Sequence, residues 1–156
     1  MRAYSYIPAF VAFLLAPLSV DTPASAQDIP VYRGPVKLPD FARRDKASAN
    51  YRTRIADGMR AGPNFAGHYA IIEIGCGTGC RYVKMADVKT GKVHEFPYGG
   101  EEYYVLSLKY NARSNRVRAS WVSDDKCIKD ELVWNGKAFA SHRKQTAGGA
   151  MACRDL

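Results

Sequence analysis

Hydrophobic residues change their spacing near residue 67. Between residues 45 and 60 they recur every fourth position, at Tyr51, Ile55 and Met59, which predicts a helix with one apolar face. Gly62-Pro63 should end that helix, because proline cannot continue it. Beyond residue 67, apolar residues alternate with polar ones in short runs separated by turn-forming residues, a pattern that predicts β-strands.

Seven of these runs predict strands: residues 68–75, 81–88, 93–96, 103–110, 116–122, 131–134 and 137–140. In the fourth run, alternation puts Tyr104 and Tyr110 on the core face. In the fifth, it puts Trp121 inward and Ser120 outward. Asn135-Gly136, between two apolar runs, predicts a type I′ hairpin. Short connections favour an antiparallel meander, so we expect an α+β fold with the N-terminal helix packed on about six or seven strands.

The first 26 residues have the pattern of a cleavable signal peptide. Arg2 precedes an apolar stretch at 7–20, and Ala24-Ser25-Ala26 predicts cleavage before Gln27. The apolar stretch is shorter than the roughly 20 residues of a membrane span, so we expect no transmembrane segment after cleavage. The sequence thus predicts a periplasmic or secreted protein, with an extended, proline-containing arm over 27–44 and a single domain over 45–156.

The chain has 23 Lys and Arg against 15 Asp and Glu, a net charge of +8. A basic exported protein favours an anionic envelope component or an acidic protein as partner, and we expect no nucleic acid. The residues from 109 to 118 hold four cations and no carboxylate, and they are the candidate contacts: Lys109, Arg113, Arg116 and Arg118. The alternative is that the charge serves only solubility, with the arginines on a solvated outer face.

Four cysteines in an oxidising compartment favour two disulfides, although the sequence permits three connectivities. We favour Cys76–Cys80, which closes a small glycine-rich loop, and Cys127–Cys153, which ties the C-terminal tail to the sheet.

Two motifs stand out, GPNFAGHY at 62–69 and GCGTGC at 75–80, followed by DVKTGKV at 87–93. In these the chain resembles a group of small exported bacterial proteins of unknown function. The resemblance implies export and a small β-rich fold, and it brings no activity or ligand.

The glycines at 75, 77 and 79 do not predict a nucleotide site, because phosphate binding needs a helix after them and a strand is expected there. We predict no metal, no cofactor and no catalytic residue; His68 and Asn64 are the candidate polar residues. The leading hypothesis is an exported, non-enzymatic binding or envelope-associated protein with a basic surface. The alternatives are a small hydrolase-like periplasmic enzyme that uses His68, or an inhibitor or immunity protein of a secreted enzyme.

Overall fold

A computed structural model describes residues 28–154, so the predicted signal peptide and its cleavage position lie outside the described residues. The described chain has an α+β fold, as predicted. A 3₁₀ helix, Lys46–Tyr51, leads into α1, Arg52–Arg60, and a second 3₁₀ helix, Ala150–Cys153, lies near the C-terminus. The eight strands are β1 Tyr69–Gly77, β2 Cys80–Asp87, β3 Val93–Glu95, β4 Tyr104–Lys109, β5 Arg116–Ser123, β6 Lys126–Trp134, β7 Phe139–Ser141 and β8 Gln145–Gly149.

The strands form two antiparallel sheets, which differs from the predicted single meander. Sheet A has the order β1-β2-β3, and sheet B has the order β4-β5-β6-β7, with β8 also paired to β6. The separation follows from the segment between β3 and β4, where Phe96 and Tyr98 turn their side chains into the core between the sheets. Burying a large apolar side chain such as that of Phe96 stabilises the fold by roughly 1.5–3 kcal/mol.

Two hydrophobic cores hold the domain together. The larger lies between the sheets, and its largest fully buried side chains include Phe65, Met85 and Leu106. The smaller joins Ile55 and Met59 of α1 to apolar residues of β1 and β2. No helix within residues 28–154 is long and apolar enough to cross a membrane.

The N-terminal arm is bound along the domain by backbone hydrogen bonds. Ile29 N–H donates to Arg113 O (3.0 Å), Tyr32 N–H to Gly67 O (2.8 Å) and Lys37 N–H to Val88 O (2.9 Å). Proline keeps such a segment out of helical structure while its other residues still donate. The arm therefore contacts elements from both halves of the chain.

Two side chains differ in burial from what simple alternation of apolar and polar positions predicts. Tyr104 is 50% exposed, because Val105 takes a positive φ of 51° and a bulge shifts the register of β4. Ser120 is fully buried, since the C-terminal 3₁₀ helix covers its side of sheet B, where the Cys127–Cys153 disulfide attaches it. The inward prediction for Tyr104 was therefore wrong, whereas Ser120 lies on the predicted outer side of β5 and is buried there by the C-terminal 3₁₀ helix.

The prediction of a type I′ turn at Asn135-Gly136 was wrong, and the backbone of such a turn occurs at another hairpin. Such a turn needs positive φ at both central residues. Asp124 and Asp125 have φ values of 49° and 58°, and they connect β5 to β6. At Asn135-Gly136 only the glycine has a positive φ; the Asn135 side chain instead accepts hydrogen bonds from the backbone of Lys137 and Ala138. β8 was not predicted, because its sequence, QTAGG, has no apolar alternation.

Candidate functional site

The glycine-rich turn joins β1 to β2 and is closed by a disulfide. Cys76 bonds to Cys80 with their Cα atoms 5.1 Å apart, and Cys127 bonds to Cys153, which is the pairing favoured on the sequence. Gly79 has a φ of 70°, and a Cβ atom there would lie 2.3 Å from the ring of Tyr104. Both the backbone conformation and the neighbouring ring therefore require glycine at this position.

Asn64 has a structural part in this arrangement. Its side-chain amide donates to Ile71 O (3.0 Å), and its side-chain oxygen accepts from Ile71 N–H (2.7 Å). These two hydrogen bonds take the place of the backbone hydrogen bonds that a neighbouring strand would form with Ile71 of β1. Asn64 and His68 are not joined by a hydrogen bond; the asparagine pairs with the sheet edge.

His68 lies where the chain enters β1, with a third of its side chain exposed. Its Nε2 atom is 3.9 Å from Oδ2 of Asp87, beyond hydrogen-bond distance. That carboxylate already accepts bonds from the Lys89 and Thr90 backbone and from the Thr90 hydroxyl. Burial lowers the pKa of His68 and outweighs the opposing charge of Asp87. The neutral form of His68 is thus favoured, and its ring packs at a tilt of 34° against Tyr69, with ring centroids 4.2 Å apart.

A second histidine, His94, was not singled out from the sequence, and it packs in the same group of aromatic rings. The His94 ring lies 5.8 Å from Tyr69 and 5.2 Å from Trp134, edge to face in both cases. Burial is the largest cause that lowers the pKa of His94, and Lys92 adds to it. The geometry is that of packed rings at the rim of the core.

The four cations of the 109–118 segment have different environments in the structure, and two of them form ion pairs. Arg113 pairs with Asp28 of the arm (2.9 Å), and Arg116 pairs with Glu131 of β6 (2.6 Å). Lys109 and Arg118 lie directly opposite each other on β4 and β5, and neither forms an ion pair within residues 28–154. The nearby carboxylate of Asp130 is buried and binds the Tyr98 hydroxyl instead (2.5 Å).

We call the outer side of β4, β5 and β6 the basic face. Arg118 lies between two shallow depressions on it, of about 390 and 250 Å³. Lys109 and Arg116 line the first depression with Arg118, while Lys129 and Arg143 line the second with it. Glu131 lines both depressions and is paired with Arg116, and Asp130, which also lines the second, is buried and accepts a hydrogen bond from the Tyr98 hydroxyl. The face therefore carries an excess of positive charge.

A separate polar cleft of about 710 Å³ is lined by β4 on one side and by β1, the glycine-rich turn and the start of β2 on the other. Glu73 stands at one end of it and accepts hydrogen bonds from Arg81 (2.5 Å) and from the Tyr110 hydroxyl (3.2 Å). Burial, followed by the charge of Glu73, raises the pKa of Tyr110 to about 12. Tyr110 therefore keeps its proton throughout the physiological range and donates a hydrogen bond to Glu73.

Glu73 and Arg81 were not singled out on the sequence. The available signal was one carboxylate inside the apolar run of β1, on the side that faces the other sheet. Comparison with known proteins adds no further assignment: no family of proteins, no curated protein and no solved structure matches this chain.

Proposed function

We propose that this chain is an exported, non-enzymatic binding or envelope-associated protein whose basic face binds an anionic partner. The signal-peptide pattern and the two disulfides support a periplasmic or secreted location. The partner is an anionic envelope component or an acidic protein.

The observation that carries the proposal is the direct pairing of Lys109 with Arg118 across two strands. Like charges in directly opposite positions destabilise a sheet. Both side chains are exposed. Glu131, which lies directly opposite Arg118 on β6, forms its ion pair with Arg116. Such an arrangement costs the folded state stability, and an anion bound between the two cations removes that cost.

The position of His68 does not favour the enzymatic alternative. General acid–base catalysis needs a polar partner within hydrogen-bond reach to orient the imidazole. Asp87 is too distant for that, and its oxygen atoms already accept three hydrogen bonds.

The proposal is tested by the binding of the exported protein to lipopolysaccharide vesicles and to heparin. Raising NaCl from about 0.01 M to about 1 M shortens the Debye length from about 30 Å to about 3 Å, and binding should be lost over this range. The variant Lys109→Gln/Arg118→Gln should bind at least about tenfold more weakly at low salt, as expected when about 1.4 kcal/mol of interaction is removed.

The matched control is Lys46→Gln/Arg54→Gln, which removes the same charge from exposed positions near α1. It should bind within about twofold of the wild type. Equal losses in the two double variants would mean that net charge alone drives binding, and the basic face would then have no special role.

A further inference from the structure

The first depression of the basic face combines cations with neutral hydrogen-bond donors. Lys109 and Arg118 line it, and neither belongs to an ion pair within residues 28–154. Asn111 and Ser114, from the turn between β4 and β5, line it as well. The side-chain oxygen atoms of these two residues already accept hydrogen bonds from neighbouring backbone N–H groups, so the Asn111 amide and the Ser114 hydroxyl remain as donors for an anion.

The second depression repeats this combination. Lys129 of β6 and Arg143 of the β7–β8 connection line it, and no ion pair in the described part of the chain includes either. Gln145, directly opposite Lys129 on β8, supplies a side-chain amide. The carboxylate of Asp130, which also lines this depression, is engaged by the Tyr98 hydroxyl.

The composition of the two depressions suits phosphate better than carboxylate. A phosphate monoester carries a charge of about −1.5 to −2 at pH 7 and has three acceptor oxygen atoms. A carboxylate has one charge and two oxygen atoms, which a single guanidinium can satisfy. Two cations beside a neutral donor therefore match one phosphate group in each depression.

The register of sheet B sets the distance between the two depressions. Lys109 lies opposite Arg118 across β4 and β5, while Lys129 lies opposite Ser120 across β5 and β6. The two lysines are thus two strands apart, about 9.6 Å, and offset by two residues along the strands, about 6.8 Å, so their Cα atoms are about 12 Å apart.

A carboxylate separates the two depressions. Glu131 lies opposite Arg118, lines both depressions and is held by Arg116 (2.6 Å). A ligand with continuous negative charge would place part of that charge against Glu131, and like charges repel. A neutral spacer with hydroxyl groups would instead donate hydrogen bonds to the Glu131 oxygen atoms. The face therefore fits two separate phosphate groups joined by a neutral, hydroxylated linker.

We propose that the basic face binds a bis-phosphorylated saccharide, with one phosphate in each depression and the sugar rings across Glu131. This inference rests on the proposed function and names the chemistry of the anionic partner. Because both phosphates belong to one ligand, the second contact forms intramolecularly and strengthens the first. Arg118 lines both depressions and so contributes to both contacts.

The test uses the full-length chain, expressed in an exporting bacterium and purified after export with its disulfides intact. Calorimetry at low salt compares an N-acetylglucosamine disaccharide that carries a phosphate at each end with the same disaccharide that carries one. The bis-phosphorylated form should bind at least about tenfold more tightly. It should also displace the protein from phosphatidylcholine vesicles that contain diphosphoryl lipid A, whereas inorganic phosphate at the same total phosphate should displace much less.

Single substitutions separate the two depressions. Lys109→Gln weakens the first, and Arg143→Gln weakens the second at an exposed position. Each should lower the affinity for the bis-phosphorylated disaccharide at least about tenfold. Each should change the affinity for the monophosphorylated form by no more than about twofold, because that ligand can still use the other depression.

The matched control is Lys46→Gln, which removes one exposed charge near α1 and should leave both affinities unchanged. Equal affinity for the two disaccharides, an equal loss for both ligands in either variant, or equal displacement by inorganic phosphate would overturn the proposal. Tighter binding of polyglutamate at equal charge would make an acidic protein the partner and would overturn it as well. In each of these cases salt-dependent binding to heparin and lipopolysaccharide vesicles would leave the proposed function standing; no binding to any of these anions would remove both.

Discussion

Replacing Asn64 with alanine should destabilise the domain strongly, although Asn64 touches no other part of the candidate sites. Its side chain is the only group within residues 28–154 that pairs with the outward-facing backbone of Ile71. Ile71 is 3% exposed and belongs to the core between the sheets. The substitution leaves one donor and one acceptor of Ile71 without partners beside that core.

The magnitude follows from the two groups that lose their partners. Leaving a buried donor or acceptor unsatisfied costs about 1–3 kcal/mol. Asn64 itself is half-buried, so water can reach part of the vacated space and reduce the cost toward the lower end of that range. We therefore expect a loss of about 2–4 kcal/mol in the free energy of unfolding, or roughly 10 °C in Tm for a domain of this size.

Urea denaturation of wild type and variants measures this loss. Asn64→Asp keeps the acceptor for Ile71 N–H but replaces the donor to Ile71 O with an oxygen atom, so it should also be destabilised. The matched control is Asn135→Ala, because Asn135 likewise makes two hydrogen bonds to backbone but at an exposed turn; it should cost less than about 1 kcal/mol. If Asn64→Ala costs no more than Asn135→Ala, Asn64 does not act as a substitute strand.

Two further predictions concern the disulfides and the response to acid. Cys127–Cys153 spans 26 residues and Cys76–Cys80 spans 4, so chain entropy predicts losses of about 3.5 and about 2 kcal/mol when each pair is replaced by serine; thermal unfolding with the reverse ranking would contradict this. Burial lowers the pKa of His68 and His94 below the ordinary value of 6.5, so the unfolded chain binds more protons and stability should fall as pH drops below about 6.5. The double variant His68→Gln/His94→Gln should show a smaller fall in urea midpoint between pH 7 and pH 5, and an unchanged fall would refute the assignment.

Local pattern was enough to predict most elements, because burial of one strand face leaves a period-two signal in the sequence. It located the cores of β1, β2, β4 and β5 to within a few residues. It failed where a distant segment decides the environment. The burial of Ser120 depends on a tail held by Cys153, and the exposure of Tyr104 depends on a bulge at Val105. Neither feature leaves a signal in the neighbouring residues.

The candidate sites, like the fold, could be predicted from the sequence only where local residues decide the arrangement. The cations of the 109–118 segment were visible in the sequence, but their pairing was not, since Asp28 and Glu131 reach Arg113 and Arg116 only through the path of the arm and the register of β6. The cleft was less visible still. It lies between strands of different sheets, and a sequence pattern does not show which strands of two sheets come together.

The glycines of the β1–β2 turn have different physical causes, although they look alike in the motif. Gly79 is required by its positive φ and by the ring of Tyr104, whereas Gly75 adjoins the bulge at which β1 and β2 shift register. A disulfide between Cys76 and Cys80 would clamp the turn whether or not residue 75 were glycine. A glycine inside a strand often marks a bulge, so the GCGTGC segment combines a bulge after Gly75, a left-handed residue at Gly79 and a disulfide in one connection, and each of its glycines has a local structural cause.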